Sequence, residues 1–199
     1  MAEDVEAQAR ACWDRGDHDG VVTTAVQAYG EEVFSFLIVR LRNEDDAADV
    51  FAQASETLLR TMPEFEWRCS LRTWFYRLAR SAAARHERQP LHRKDRRVSL
   101  SQVSEAVAHA RSRTMAHLRS EVKDGVRALR ERLDAEEQQL LVLRVDRALD
   151  WNEIAEIMAD DDLDDDAKRR ASARLRQRFQ TLKERLRALA IEEGLLDAE

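Results

Sequence analysis

An all-α fold of two small helical domains joined by a flexible linker is what this sequence predicts, on three observations. Apolar residues recur at helical spacing along most of the chain, no stretch alternates with the two-residue period of a strand, and the periodicity lapses over residues 91–120. Five glycines, two prolines and 36% charged residues in 199 suit long amphipathic helices, and 44% hydrophobic content is enough for their cores. That length accommodates one large domain or two small ones.

The elements follow in order. Phe34, Leu37, Ile38 and Leu41 fall at i, i+3, i+4 and i+7, the stripe of a helix with one buried face. Asn43 and Glu44-Asp45-Asp46 interrupt it and can cap a next helix, which runs to about Thr61, where Met62-Pro63 stops it. Leu71, Trp74, Phe75 and Leu78 mark a third helix, capped near Ser70 and fading around Arg88 before Pro90. The Ser- and Arg-rich segment 91–120 reads as the linker. Order returns with Val126, Leu129 and Leu133, the run Leu140–Val145, then Trp151, Ile154, Ile157 and Met158. A last helix carries Leu175, Phe179, Leu182, Leu186 and Leu189. The predicted organisation is an N-terminal extension (1–19), a first domain (20–90), the linker (91–120) and a second domain (121–191).

Charge narrows the class of partner. The net charge of −6 conceals two basic segments, residues 67–97 and 168–187, each with a local excess of +8. Two such segments in an acidic chain suggest two contact surfaces for a polyanion. In EFEWRCSLRTWFYRLAR, arginines that can track phosphates alternate with aromatics that can stack on unpaired bases. Trp74, Phe75, Leu71 and Leu78 have core spacing, so Phe65 and Trp67, at the helix entry, are the expected exposed aromatics. The second basic segment follows LDWNEIAEIM and an acidic turn, in the manner of a helix-turn-helix. Its Leu175, Phe179 and Leu182 face the core, leaving Arg169, Arg170, Ser172, Ala173, Arg176 and Gln177 for a DNA groove.

Enzyme signals are poor: no Gly-rich phosphate loop, HExxH, CxxC or G-x-S-x-G is present, and no cofactor or metal is expected. Cys12 and Cys69 are too few for a disulfide framework, fitting a reducing cytoplasm and two small buried side chains. No apolar window is long enough for a membrane span, and the start lacks the basic and apolar regions of a signal peptide. The run ADDDLDDDAKRR (Ala159–Arg170) lacks the spacing of a calcium loop. Its Asp164–Asp166 read instead as the N-terminus of the last helix, where carboxylates accept unpaired N–H groups.

EDDAADV (Glu44–Val50) and PEFEWRCSLRTWFYRLAR (Pro63–Arg80) resemble region two of the extracytoplasmic-function sigma factors, the minimal two-domain members of the sigma-70 family. LDAEEQQLLVLRVDRALDWNEIAEIM and RASARLRQRF (Arg170–Phe179) resemble region four, and the whole resemblance spans about residues 25–190. It implies a protein without chemistry of its own that brings core RNA polymerase to promoter DNA. Asp46, Asp49, Val50, Gln53 and Leu58 would lie on the helix that docks on the polymerase clamp. Trp67, Arg68, Cys69 and Ser70 would form the loop that takes a flipped base. Arg72, Arg77, Arg80, Ser81 and Arg85 would lie along the minus-ten element. Lys168, Arg169, Arg170, Ser172, Ala173, Arg174, Arg176 and Gln177 would read the minus-thirty-five element, and the linker would thread the RNA-exit region. An anti-sigma partner follows from the resemblance alone. The family's usual QETF is here Ala52-Gln53-Ala54-Ser55, its Asn after IAR is Ser81, and the acidic residues lengthen the helix-turn-helix by about six positions. Two other classes stay open: a helix-turn-helix regulator that does not engage polymerase, and a helical protein-interaction module.

Overall fold

In a computed structural model of the chain, residues 2–88 and 124–197 are described, with side chains from residues 4 and 128 onward. The linker expected over 91–120 lies outside the described residues. Two compact units, within Met1–Ala116 and His117–Glu199, divide the chain, and among the described residues all regular structure is helical.

The first unit holds α1 (Ala2–Asp14), α2 (His18–Leu41), α3 (Glu44–Thr61) and α4 (Leu71–Arg88), with a one-turn 3₁₀ helix at Met62–Glu64. Its centre is α2. Val33 to Leu37 are five buried residues in succession, which a helix shows only when covered on most of its circumference. The one polar member, Ser35, donates its hydroxyl hydrogen to the Glu31 carbonyl at 2.9 Å. Phe34 and Phe51 meet edge to face at 5.6 Å, Phe51 lies 5.7 Å from Phe75, and Phe36 lies 5.3 Å from Tyr76, so aromatic contacts tie α2, α3 and α4 together.

Local chemistry sets the boundaries. The Arg42 N–H closes α2 on the Ile38 carbonyl from a left-handed conformation. Asn43 Oδ1 then accepts the Asp46 N–H at 3.0 Å and starts α3. Ser70 Oγ takes the Thr73 N–H at 3.0 Å at the start of α4. The segment expected as an extension is instead α1, which packs on α2 and buries Ala9 and Cys12. Its buried face is made of small side chains, so the apolar stripe is faint.

The second unit comprises α5 (Asp124–Glu131), α6 (Ala135–Leu141) with a π-helical turn (Val142–Asp146), α7 (Trp151–Met158) and α8 (Asp165–Glu192). Asp134 with Glu137, and Asp150 with Glu153, form reciprocal capping boxes that start α6 and α7. The Gln138 side-chain amide donates to the carbonyls of Arg130 (2.7 Å) and Leu133 (3.0 Å), pinning the α5–α6 turn. Leu133, Leu141 and Leu182 form a core over which Phe179 and Leu186 pack. Asp164 Oδ1 accepts the Ala167 N–H at 2.6 Å, and Asp165 and Asp166 occupy the first turn of α8, where the helix dipole favours carboxylates. Among the described residues, no group of His, Cys, Asp or Glu is placed to hold a metal ion, and no helix is long and apolar enough to cross a membrane.

Candidate nucleic-acid interface

On α3 the structure separates the predicted residues. Asp49 is exposed and Gln53 half-buried, whereas Val50 and Leu58 are fully buried in the three-helix core. The last two therefore cannot touch a partner from this face, because the i, i+4 positions of the apolar stripe turn them toward α2 and α4. Asp46 is drawn inward too: its Oδ1 lies 3.3 Å from Nε2 of His86 on α4, with both side chains mostly covered. Of the departures from the family's clamp motif, Ala54 and Ser55 are core positions, and Ala52 and Gln53 are on the surface side.

The cations of α4 fall into two groups. Arg72 forms a two-pronged pair with Glu32 of α2 (Nε–Oε1 2.5 Å, Nη2–Oε2 2.7 Å), largely shielded from water, and its guanidinium lies over the Tyr29 ring at 6.0 Å. Its geometry is that of a tie between helices, in place of the expected contact with DNA. Arg77, Ser81, Arg85 and Arg88 follow Trp74 at three- and four-residue intervals and line one side of α4. Ser81, Arg85 and Arg88 are exposed, Arg80 is half-buried, and the Arg77 guanidinium lies 5.3 Å over the Trp74 ring.

The loop before α4 differs most from expectation. Phe65 is 6% exposed, so it is a core residue and not an open stacking platform. It stacks on Trp74 at 5.8 Å and contacts Trp67 at 5.0 Å, while Trp13 of α1 meets Trp67 edge on at 6.0 Å. Arg10 covers the Trp67 ring at 4.7 Å. Trp67 is half-buried and adopts a left-handed backbone (φ 56°), an unfavourable conformation for a bulky side chain that the surrounding aromatics hold. The indole N–H groups of Trp67 and Trp74 are both buried without an acceptor. Arg68 is exposed, with Glu66 beside it at 2.5 Å; Cys69 and Ser70 are half-buried.

Glu6, Arg10 and Trp13 are absent from the residues the sequence suggested. They share one face of α1 at i, i+4 and i+7, a signal that a search for apolar stripes passes over because two of the three are charged. Glu6 also accepts the Tyr29 hydroxyl at 3.2 Å. Burial first, then the charge and hydrogen bond of Glu6, hold the Tyr29 hydroxyl well above the ordinary tyrosine value, with Arg72 opposing. The unfolded chain releases this proton near pH 10 while the folded one keeps it, so the contribution is full below pH 10 and fades as pH rises beyond it. Urea unfolding at pH 9 and 11 should show the parent losing stability relative to Tyr29→Phe, by at most about 1.4 kcal/mol per pH unit above 10. Parallel losses in the two proteins would exclude this proton.

On α8, Arg169, Arg170, Ala173, Arg174, Arg176 and Gln177 are all exposed. Ser172 is the exception, being 1% exposed: its hydroxyl lies 3.0 Å from the Trp151 carbonyl and 2.8 Å from Asn152 Oδ1. It locks α7 to α8 and is unavailable to a base edge, since position 172 begins the inward stripe that continues through Leu175, Phe179 and Leu182. Lys168 is half-buried beside Glu156 of α7, and Arg169 pairs with Asp166 in solvent. Arg178 and Arg185, further along, are bound to Glu136 and Glu137 of α6 at 2.7 Å. Arg144 covers the Trp151 ring at 4.8 Å, and Trp151 meets Phe179 edge on at 5.5 Å, bracing the helix pair. Six residues, Ala159–Asp164, connect α7 and α8.

Residues 25–93 match the family model of Sigma-70 region 2. The matched segment begins within α2 and takes in α3, the aromatic loop and α4; α1 and the whole second unit lie outside it. No curated protein and no solved structure matches the chain. The match therefore supports a sigma-70 region 2 domain in that part of the first unit.

Proposed function

We propose that the chain is a sigma factor of the extracytoplasmic-function kind, acting in the cytoplasm to direct core RNA polymerase to particular promoters and to assist their melting. The observation that carries this reading is the pairing of a Sigma-70 region 2 match with a second helical unit whose α8 turns a row of exposed cations to solvent. On this reading, Asp49 and Gln53 serve the polymerase contact. The loop Trp67–Ser70 seats an unpaired base, and Arg77, Arg80, Ser81 and Arg85 follow the minus-ten strand. Arg169, Arg170, Ala173, Arg174, Arg176 and Gln177 engage the minus-thirty-five duplex. Binding energy spent on the separated strands opens the promoter, and polymerase performs the chemistry.

Run-off transcription with purified core enzyme, on a promoter selected from random DNA, tests the proposal. A transcript that depends on the chain is the expected result. Absence of both transcript and complex with core enzyme would sink it, and duplex binding without a core complex would favour a regulator that works apart from polymerase.

A further inference from the structure

We infer that Glu6 is a positioning residue for the 65–70 loop, an inference that rests on reading that loop as the seat of an unpaired base. The first N–H groups of a helix have no acceptor within it and are ordinarily served by the residue just before. In α4, Ser70 serves the Thr73 N–H, and the N–H groups of Leu71 and Arg72 are taken by the Glu6 carboxylate, at 3.0 and 3.2 Å, from 65 and 66 residues away. The same carboxylate accepts the Tyr29 hydroxyl, so one side chain joins α1, α2 and α4.

The face of α1 that begins with Glu6 continues into the aromatic loop. Arg10, one turn on, lies over Trp67, and Trp13, almost a further turn on, meets both Trp67 (6.0 Å) and Phe65 (6.5 Å). The stretch Phe65–Ser70 has no helical hydrogen-bond ladder and contains the left-handed Trp67. Its shape therefore depends on anchors outside itself: α1 against its tryptophan and the first turn of α4 at its end. Glu6 fixes those two anchors to each other. Its removal touches no base directly, yet lets the tryptophan shift relative to the start of α4.

The test compares the full-length parent with Glu6→Ala and Glu6→Gln. It measures affinity for a fluorescein-labelled single-stranded oligonucleotide of adenine and thymine, affinity for core polymerase, and amide exchange at Leu71 and Arg72. Glu6→Ala should weaken single-strand binding about tenfold, the size of one lost cap expressed as a binding constant. Glu6→Gln keeps an acceptor oxygen but turns an N–H₂ toward donors, so it should lose about threefold. Exchange at Leu71 and Arg72 should quicken in the same order, with core binding unchanged. A folded Glu6→Ala protein with faster exchange but parental single-strand affinity would overturn the inference, as would an equal loss of core binding in both variants. A parent that binds core but no single strand would overturn the base-seat reading itself, and this inference with it.

Discussion

Replacing Arg174 and Arg176 together with alanine should weaken binding to duplex DNA by roughly tenfold to a hundredfold near 0.15 M salt. The same change should lower the slope of log K against log salt by about two. Both side chains are exposed on α8, with no ion pair to any described residue, so each can surrender its counterions to a phosphate. Stability should barely change, because neither residue contributes to the core. Arg178→Ala and Arg185→Ala provide the contrast. These guanidiniums already hold Glu136 and Glu137 across the α6–α8 contact. Their loss should cost no more than about 1 kcal/mol of stability, as for partly exposed pairs, and leave the salt slope unchanged. Fluorescence anisotropy over a salt series, with urea unfolding alongside, separates the two outcomes. Identical behaviour of all four substitutions would mean that α8 is only a structural helix.

Phe51→Ala should destabilise the first unit by about 3–5 kcal/mol, the usual range for removing a buried phenyl group. Phe51 is 1% exposed and lies between Phe34 and Phe75, so the cavity would open where α2, α3 and α4 meet. Such a loss is a large part of the 5–15 kcal/mol that holds a typical domain folded. Hydrogen exchange should then show α2, α3 and α4 losing protection together, and binding to core polymerase should fall with them. A loss below about 1 kcal/mol would mean that this junction is packed loosely enough to collapse around the gap.

Boundaries set by neighbouring residues are legible in the sequence, and contacts between distant helices are not. The start of α3 at Asn43, the start of α4 beside Ser70, the stop at Met62-Pro63 and the Asp164 cap of α8 were all legible, because each depends on residues within one helical turn. The periodic apolar residues Ile154 and Ile157 were legible as buried ones as well, since the period of a helix assigns faces. The role of α1 was not. Ala9 and Cys12 bury little area, and the acceptor for α4's first N–H groups stands at Glu6, in a helix that no local rule connects to residue 71. Ala148 is a further case: its backbone is left-handed (φ 53°) without being glycine, and hydrogen bonds such as that from the Leu149 N–H to the Leu143 carbonyl at 3.0 Å set the surrounding turn.

By itself the sequence determined that the chain is helical, where α3 and α4 begin and end and where α8 begins, and that two stretches are strongly basic, because spacing and capping act over a few residues. Only the tertiary structure decided which charged and aromatic side chains remain available. Arg72 and Arg85 sit on the same basic helix, yet one is tied to Glu32 and the other is exposed. Ser172 and Ala173 are neighbours, yet one is a buried clasp and the other is exposed. A carboxylate or a ring from a distant helix makes that difference, and its arrival at a given side chain depends on how whole helices pack.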